Sequence, residues 1–357
     1  MRVLIVDDST LFRKVVRDAL ADCPGIEVVG LASNGKSALD KIPCLQPDVV
    51  TLDVEMPELD GMEVLKQLRQ QSRRPEVIML SAMTDRGALA TTQALRLGAF
   101  DFILKPNHDS LEANCQQLRQ DLLPIIRLLQ QRHEGELGSS ATVDHRETES
   151  PAPKRRQAAL ASVKVVGIGV STGGPAALNQ LLPKLPADLA VPLLIVQHMP
   201  PVFTRSLAAD LDRASRIKVC EAEDGQEPLP GHAYLAPGGK QMKILSHQGH
   251  DVIQITNDPP ERSCKPSVDY LFRSLAHTFG SQAMGVVMTG MGDDGTLGCR
   301  LMKRHGCTIV AQEESSCVVY GMPRQVIDAG LADIVVPLDQ LHEIIQVAGT
   351  QGARKCR

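Results

Sequence analysis

The chain has 357 residues, 43% hydrophobic and 22% charged, with a formal net charge of -4. That length exceeds one ordinary core and suits two, and the composition is that of a folded globular protein rather than a disordered or nucleic-acid-coating one. Nine cysteines without a C-x-x-C pair argue against a disulfide framework or zinc site, and Asp7 and Asp8 end the first apolar run well short of a signal peptide or membrane span, so a cytoplasmic location without membrane insertion is expected.

From residue 1 to about 123, short β-branched runs alternate with helical patterns, the signature of a parallel sheet wrapped by helices. The predicted strands are Val3 to Val6, Ile26 to Leu31, Val49 to Leu52, Val77 to Leu80 and Phe100 to Leu104. Each is nearly continuous in apolar residues, as strands covered on both faces must be. Asp7-Asp8, Asp53 and Lys105-Pro106 then fall at the carboxyl ends of the first, third and fifth strands, the edge where open α/β sheets bind ligands. Carboxylates gathered there repel unless a divalent cation neutralises them, and hard oxygen ligands suit Mg²⁺. Ser81 could donate to a phosphoryl oxygen and Lys105 supply a positive charge.

Asp7-Asp8, Leu52-Asp53-Val54-Glu55-Met56-Pro57, Ser81-Ala82 and Lys105-Pro106, in that order, resemble a response-regulator receiver domain. The resemblance implies a (βα)5 fold with Asp53 as phosphoacceptor and a histidine kinase as phosphoryl donor. It also implies Mg²⁺ held by Asp8, Asp53 and the backbone of Glu55 with Asp7 nearby, and Phe102 at the aromatic switch position.

Residues 124–160 read as a helical extension and flexible linker. From about His133 the apolar period gives way to Glu, Gly, Ser, Thr, Pro and Lys/Arg, and Lys154-Arg155-Arg156 is expected to be a solvated cluster rather than a nucleic-acid site. A second strand-and-helix region, 161–350, has strands predicted at Val165 to Val170, Leu193 to Val196, Gly285 to Met288, Thr308 to Val310 and Ile334 to Val336. Between them, Tyr234-Leu235 and Met242 to Leu245 look like two strands joined at Pro237-Gly238, so an antiparallel insert is expected. His247 and His250 lack companion ligands at metal spacing, and Gly249 favours a turn. A DNA-binding output domain would be shorter and helical.

Gly167-Ile168-Gly169-Val170-Ser171-Thr172-Gly173-Gly174 reads as strand, glycine-rich turn and helix start. As a dinucleotide turn it fails, because its third glycine is displaced by Thr172 and the next strand ends in Gln197-His198 instead of an acid. As a nucleophile turn it offers the Ser171 hydroxyl, with N–H groups around Thr172 and Gly173 available to an oxyanion. Such a serine needs a base and an orienting group. His198, at the next strand end, is the best-placed histidine, and Asp293 and Asp294 compete for the third role on the residues alone.

Gly169 to Gly174, Gln197-His198-Met199 and Thr289-Gly290-Met291-Gly292-Asp293-Asp294-Gly295 resemble the catalytic domain of chemotaxis protein-glutamate methylesterases. Tyr234 to Gly238, Pro266 to Asp269 and Tyr320 to Pro323 agree, while Gln241 stands where such sequences often carry His. The resemblance assigns Ser171 as nucleophile, His198 as base, Asp294 as its orienter and the Met291 amide as an oxyanion donor. It implies that glutamate γ-methyl esters and glutamine side chains on chemoreceptor helices are hydrolysed without a cofactor at the esterase site, under control of Asp53 phosphorylation. The fold class expected is α/β: two doubly wound parallel-sheet domains, the second with an antiparallel insert.

Overall fold

The computed structural model describes residues 1–71, 74–138, 160–247, 249–348 and 350. The chain divides into two compact units, Met1–His145 and Arg146–Arg357.

In the first unit five strands, β1 (Arg2–Val6), β2 (Glu27–Ala32), β3 (Val49–Asp53), β4 (Glu76–Ser81) and β5 (Asp101–Leu104), form one sheet in the order β2-β1-β3-β4-β5. All its pairings are parallel. Helices α1 (Thr10–Leu20), α2 (Gly35–Leu45), α3 (Gly61–Leu68), α4 (Asp85–Arg96) and α5 (Leu111–Gly138) cross between and beyond the strands. The first four begin on side-chain caps, Ser9, Asn34, Asp60 and Thr84, each accepting an otherwise orphaned main-chain N–H. Because β1 and β3 lie side by side while β2 goes to the outer edge, the crevice at their carboxyl ends is the topological switch point.

The last helix, α5, runs unbroken through Pro124 to Gly138, a few residues beyond His133, where the apolar period gives out in the sequence. An internal proline costs about 3 kcal/mol, but Leu118, Leu122, Ile125, Ile126 and Leu129 are all buried, and each such side chain contributes roughly 1.5–3 kcal/mol. Packing therefore outweighs the break. The rest of the expected linker, residues 139–159 with its basic cluster, lies outside the described residues.

The second unit carries a sheet of seven parallel strands in the order β14-β13-β12-β6-β7-β9-β8. These are β6 (Val165–Val170), β7 (Leu193–Gln197), β8 (Lys218–Glu221), β9 (His232–Leu235), β12 (Ala283–Val287), β13 (Thr308–Gln312) and β14 (Ile334–Val336). From β6 the chain works outwards to β8 on one side, then returns to β12 on the other. The switch point therefore lies between β6 and β12, beyond Val170 and Val287.

An antiparallel insert is present, but with different partners from those expected. Tyr234 and Leu235 belong to β9, whose Ala233, Tyr234 and Leu235 pair in parallel with Leu193, Leu194 and Ile195. The antiparallel hairpin is β10 (Gln241–His247) with β11 (His250–Thr256), and its turn carries Gly249 at φ 86°. Near-complete burial explains the first assignment, since Tyr234 is 1% and Leu235 0% exposed, which an isolated hairpin could not provide. Pro237-Gly238 is an exit from the sheet; a Cβ on Gly238 would meet the main chain of Pro200.

The helix Val268–Phe279 is sandwiched between sheet and hairpin. Phe272 and Leu275 share a buried cluster with Met242, Ile244 and Ile253, and Ile244 N–H donates to Ser274 Oγ at 3.1 Å. On its other side the helix lies directly on β6: a Cβ on Gly167 would come 2.4 Å from Leu275 Cδ1, and one on Gly169 2.4 Å from Val268 Cγ1. The glycine pair that superficially resembles a nucleotide-binding turn thus makes room for a helix. Gly169→Ala is expected to destabilise the second unit by about 1–3 kcal/mol, the usual range for overpacking, read as a lower urea midpoint for that unit's transition.

Candidate active site

In the first unit Asp53, the last residue of β3, is 4% exposed and Asp7, just beyond β1, is 0% exposed. Lys105, beyond β5, places Nζ 2.7 Å from Oδ2 of each, and its ammonium also lies 4.8 Å from the centroid of the Phe12 ring. One cation among three acids leaves excess negative charge. Burial and the neighbouring charge of Asp7 push the Asp53 carboxyl up to about 6, against the opposing pull of Lys105 and a hydrogen bond from the Glu55 main chain. Asp7, Asp8 and Asp53 offer oxygens within 4.8 Å of one another. That hard donor set and its uncompensated charge fit Mg²⁺.

The other expected residues surround the cluster. Ser81 is buried at the end of β4 and its hydroxyl donates to Ala82 O at 3.3 Å; its carbonyl accepts the Lys105 N–H at 2.8 Å, which fixes the lysine's strand end. Phe102 is half-buried on β5, opposite Met79. The Glu55 side chain points elsewhere, to Arg86 at 3.4 Å.

In the second unit Ser171 follows β6 in a tight turn. Its N–H donates to Thr289 O at 3.0 Å, and its carbonyl accepts from Gly174 N at 2.8 Å. Gly173, at φ 77°, precedes the helix Gly174–Leu181. A Cβ at Gly174 would come 2.0 Å from Gln197 Oε1. Gln197 is a residue whose role the sequence reading missed: its buried amide donates to the carbonyls of both Ser171 (3.0 Å) and His198 (3.1 Å). Gly290 brings the β12 exit close to the same serine, since a Cβ there would lie 2.8 Å from Ser171 Cβ. Gly321 and Met322 donate to the Gly290 carbonyl at 3.1 and 2.8 Å, which explains the presence of the Tyr320-Gly321-Met322-Pro323 segment.

His198 leaves β7 beside Ser171, and its N–H donates to Val170 O at 3.1 Å. Its Nε2 lies 2.8 Å from Asp294 Oδ2. Of the two competing aspartates, Asp294 is thus the one that meets the ring; Asp293 is exposed and pairs with Arg262. Asp294 is 3% exposed and also accepts from Ser267 Oγ (2.9 Å), Val268 N (2.7 Å) and Asp269 N (2.9 Å). Ser267 caps the helix Val268–Phe279, so the carboxylate sits against a helix N-terminus, where negative charge is favoured. Ser267 is a second residue that the motif reading left without a role. Burial alone would raise the Asp294 pKa, but the hydrogen bonds from His198, Asp269 and Val268 hold it below the usual carboxylate range. Burial likewise disfavours a charged His198; bonding to Asp294 and Cys264 outweighs it and pushes the imidazole up to about 9.

Ser171, His198 and Asp294 therefore converge at one sheet edge, on the exits of β6, β7 and β12. Among the described residues the Ser171 hydroxyl makes no hydrogen bond, and the main-chain N–H groups of Thr172, Gly173 and Met291 have no protein acceptor. Met291 is 37% exposed at the rim. His198, Cys264 and Asp294 also bring a nitrogen, a sulfur and an oxygen within 4.8 Å, but the carboxylate oxygens are already committed to the imidazole and three other donors, which disfavours a metal there.

Residues 166–345 match the family model described as CheB methylesterase, and residues 3–116 that of the response regulator receiver domain. A protein-glutamate methylesterase/protein-glutamine glutaminase of Desulfotalea psychrophila is 49% identical over 354 residues, covering 97% of each chain. One from Trichodesmium erythraeum is 46% identical over 350 residues, covering 96% of this chain and 97% of its own. The crystal structure of the Thermotoga maritima CheB methylesterase catalytic domain is similar at 40% identity and a TM-score of 0.51, covering 52% of this chain and 97% of that one.

The raised His198 pKa has a consequence for stability. With an unfolded value of about 6.5, the bound proton stabilises the fold fully below that pH, and the contribution is lost as pH rises through about 9. Urea unfolding of the wild type should weaken over that window by at most about 3 kcal/mol, and His198→Gln should flatten the decline.

Proposed function

From the premise that the chain belongs to the CheB methylesterase family, we propose that it hydrolyses glutamate γ-methyl esters on methyl-accepting chemoreceptors through Ser171, His198 and Asp294. Glutamine side chains are deamidated at the same centre, and phosphoryl transfer to Asp53 controls both reactions. The observation that carries this reading is the 2.8 Å contact between His198 Nε2 and a fully bonded Asp294, at the strand exit next to the Ser171 turn.

Asp294 fixes the ring so that Nε2 carries the hydrogen directed at the carboxylate and Nδ1 is left to act as base. His198 takes the Ser171 proton as the hydroxyl oxygen attacks the ester carbonyl. The tetrahedral oxyanion is received by main-chain N–H groups of Thr172, Gly173 and Met291, donors without a competing protein acceptor. As the carbon–oxygen bond to methoxide, or the carbon–nitrogen bond of the glutamine amide, breaks, His198 gives its proton to the departing atom and methanol or ammonia leaves. Water then attacks the acyl-enzyme with the same histidine as base, the bond from the acyl carbon to Ser171 Oγ breaks, and the proton returns to Ser171. Asp294 acts on the ring as a positioning residue.

In the receiver, the Asp53 carboxylate accepts the phosphoryl group from a histidine kinase. Asp8, Asp53 and the Glu55 backbone, with Asp7 close by, would hold Mg²⁺, which supplies charge compensation for the transferring oxygens. Lys105 would shift its contact from the carboxylate to the new phosphoryl group, and Ser81 would donate to one of its oxygens. The added charge of roughly -1.5 to -2 rearranges the surroundings of Ser81 and Phe102. No helix among the described residues is long and apolar enough to cross a membrane.

Ser171→Ala is expected to lower turnover of radiolabelled methylated receptor by about 10³-fold or more, while wild-type Ser171 takes up an active-site serine reagent. Normal turnover in the variant would refute the assignment. With a small phosphoryl donor and Mg²⁺, the wild-type rate should rise and Asp53→Asn should not respond; equal stimulation would rule out the switch. Because only neutral imidazole can act as base, kcat/KM should increase from neutrality towards a plateau above about 9. Asp294→Asn should move that ascent to lower pH while reducing the plateau.

A further inference from the structure

We propose that Asp269 is a positioning residue of the esterase centre: it caps the helix that follows Asp294 while Asp294 caps the helix that carries Asp269, and this crossed pair holds the Asp294 carboxylate on His198. Its effect on rate rests on the function proposed above, whereas its effect on the imidazole rests on geometry alone.

The helix Thr296–Arg304 starts just after Asp294 without a side-chain cap of its own, because the residue before it is Gly295, at φ 97°. The first N–H groups of such a helix stay orphaned unless another segment supplies an acceptor. Asp269 does so from the neighbouring helix: its Oδ1 accepts the Gly298 N–H at 2.7 Å, and the Gly295 N–H bonds to the same carboxylate. In the other direction Asp294 accepts from Val268 N at 2.7 Å and Asp269 N at 2.9 Å, at the start of the helix Val268–Phe279. Each helix therefore begins on an acid borne by the other. The crossing is close enough for a short side chain to span because residue 298 has none: a Cβ on Gly298 would come 2.6 Å from Phe272 Cβ and 3.2 Å from Asp269 Cα.

Asp269 is 2% exposed, as deeply placed as Asp294. Burial, with the neighbouring charge of Asp294, pushes its carboxyl up to about 6, against the N–H groups of Gly298 and Gly295 and the charge of Arg262. It is therefore ionised near neutrality. Arg262 completes the frame, with Nε 3.8 Å from Asp269 Oδ2 and its guanidinium paired to Asp293.

Asp269 thus restrains both acids of the loop, Asp293 through Arg262 and Asp294 through its own N–H and the start of the following helix. Asp294 lies well past Val287, the end of β12, so the sheet alone does not fix it. Among the described residues the Asp269 side chain bonds to neither Ser171 nor His198. It acts through Asp294, and a misplacement of about 1 Å near a reacting centre costs on the order of 10²-fold in rate.

The test measures kcat and KM of the full chain on methylated receptor for Asp269→Ala and Asp269→Asn, each alone and combined with Asp294→Asn. It also follows the low-field proton NMR signal of the His198 Nε2 hydrogen. Asp269→Ala is expected to lower kcat by roughly tenfold to a hundredfold with KM within about twofold, and to abolish the low-field signal. In the Asp294→Asn background the same change should cost less than about threefold, because the residue it positions is already impaired. Asp269→Asn keeps an acceptor for Gly298 but loosens Arg262, so it should retain the signal and lose about threefold in kcat, again only where Asp294 is present. It carries the test if the alanine variant does not fold. Equal losses in the two backgrounds would reduce Asp269 to a structural cap and overturn the proposal, as would an unchanged kcat and imidazole signal in folded Asp269→Ala. A chain without esterase activity in any form, whose imidazole signal still depends on Asp269, would sink the hydrolytic reading and leave the crossed caps standing.

Discussion

The Asp294 carboxylate is the constraint on which the second unit's architecture turns. It leaves β12, receives the first N–H groups of the helix Val268–Phe279 and the hydroxyl that caps it, and binds the imidazole at the end of β7. Hydrogen bonds to a charged group are each worth about 1.5–3 kcal/mol, so this one buried anion couples helix position to ring orientation. The helix reaches it only because Gly167 and Gly169 let it lie flat on β6. Two glycines in one strand therefore govern the placement of a histidine on the next.

The two units set the same residue type to opposite tasks. Asp53 ends β3, Asp294 lies in the loop that follows β12, and both are buried. Asp53 faces a second acid, and its pKa is pushed up to about 6. Asp294 faces an imidazole, a hydroxyl and two amides, and is held low. A carboxylate short of positive partners suits capture of a cation and a phosphoryl group; one saturated with donors suits holding a neighbour still. The distinction lies wholly in what converges on each carboxylate, which topology decides.

Much of this was legible in the sequence because buried parallel strands are continuous apolar runs, and the chemistry sits immediately after them. Val3 to Val6 followed by Asp7, or Val165 to Val170 followed by Ser171, needs no tertiary information. On the residues alone the choice between Asp293 and Asp294 did need it, as adjacent acids differ only in which one turns inward, and only the resemblance pointed to Asp294. Tyr234-Leu235 was assigned to the wrong partner because an apolar pair before Pro-Gly suits a hairpin and a sheet exit equally well. The edge strand Lys218–Glu221 is too short and polar to stand out. Gln197 and Ser267 stand in the motifs, but their roles escaped notice for a common reason: each acts across long stretches of sequence through its side chain, and no periodicity records such a contact.

Gln197 carries a mechanical implication. Because its single amide group bridges the carbonyls of Ser171 and His198, the exits of β6 and β7 share one frame of reference. One planar amide holding both carbonyls ties the position of each exit to that of the other.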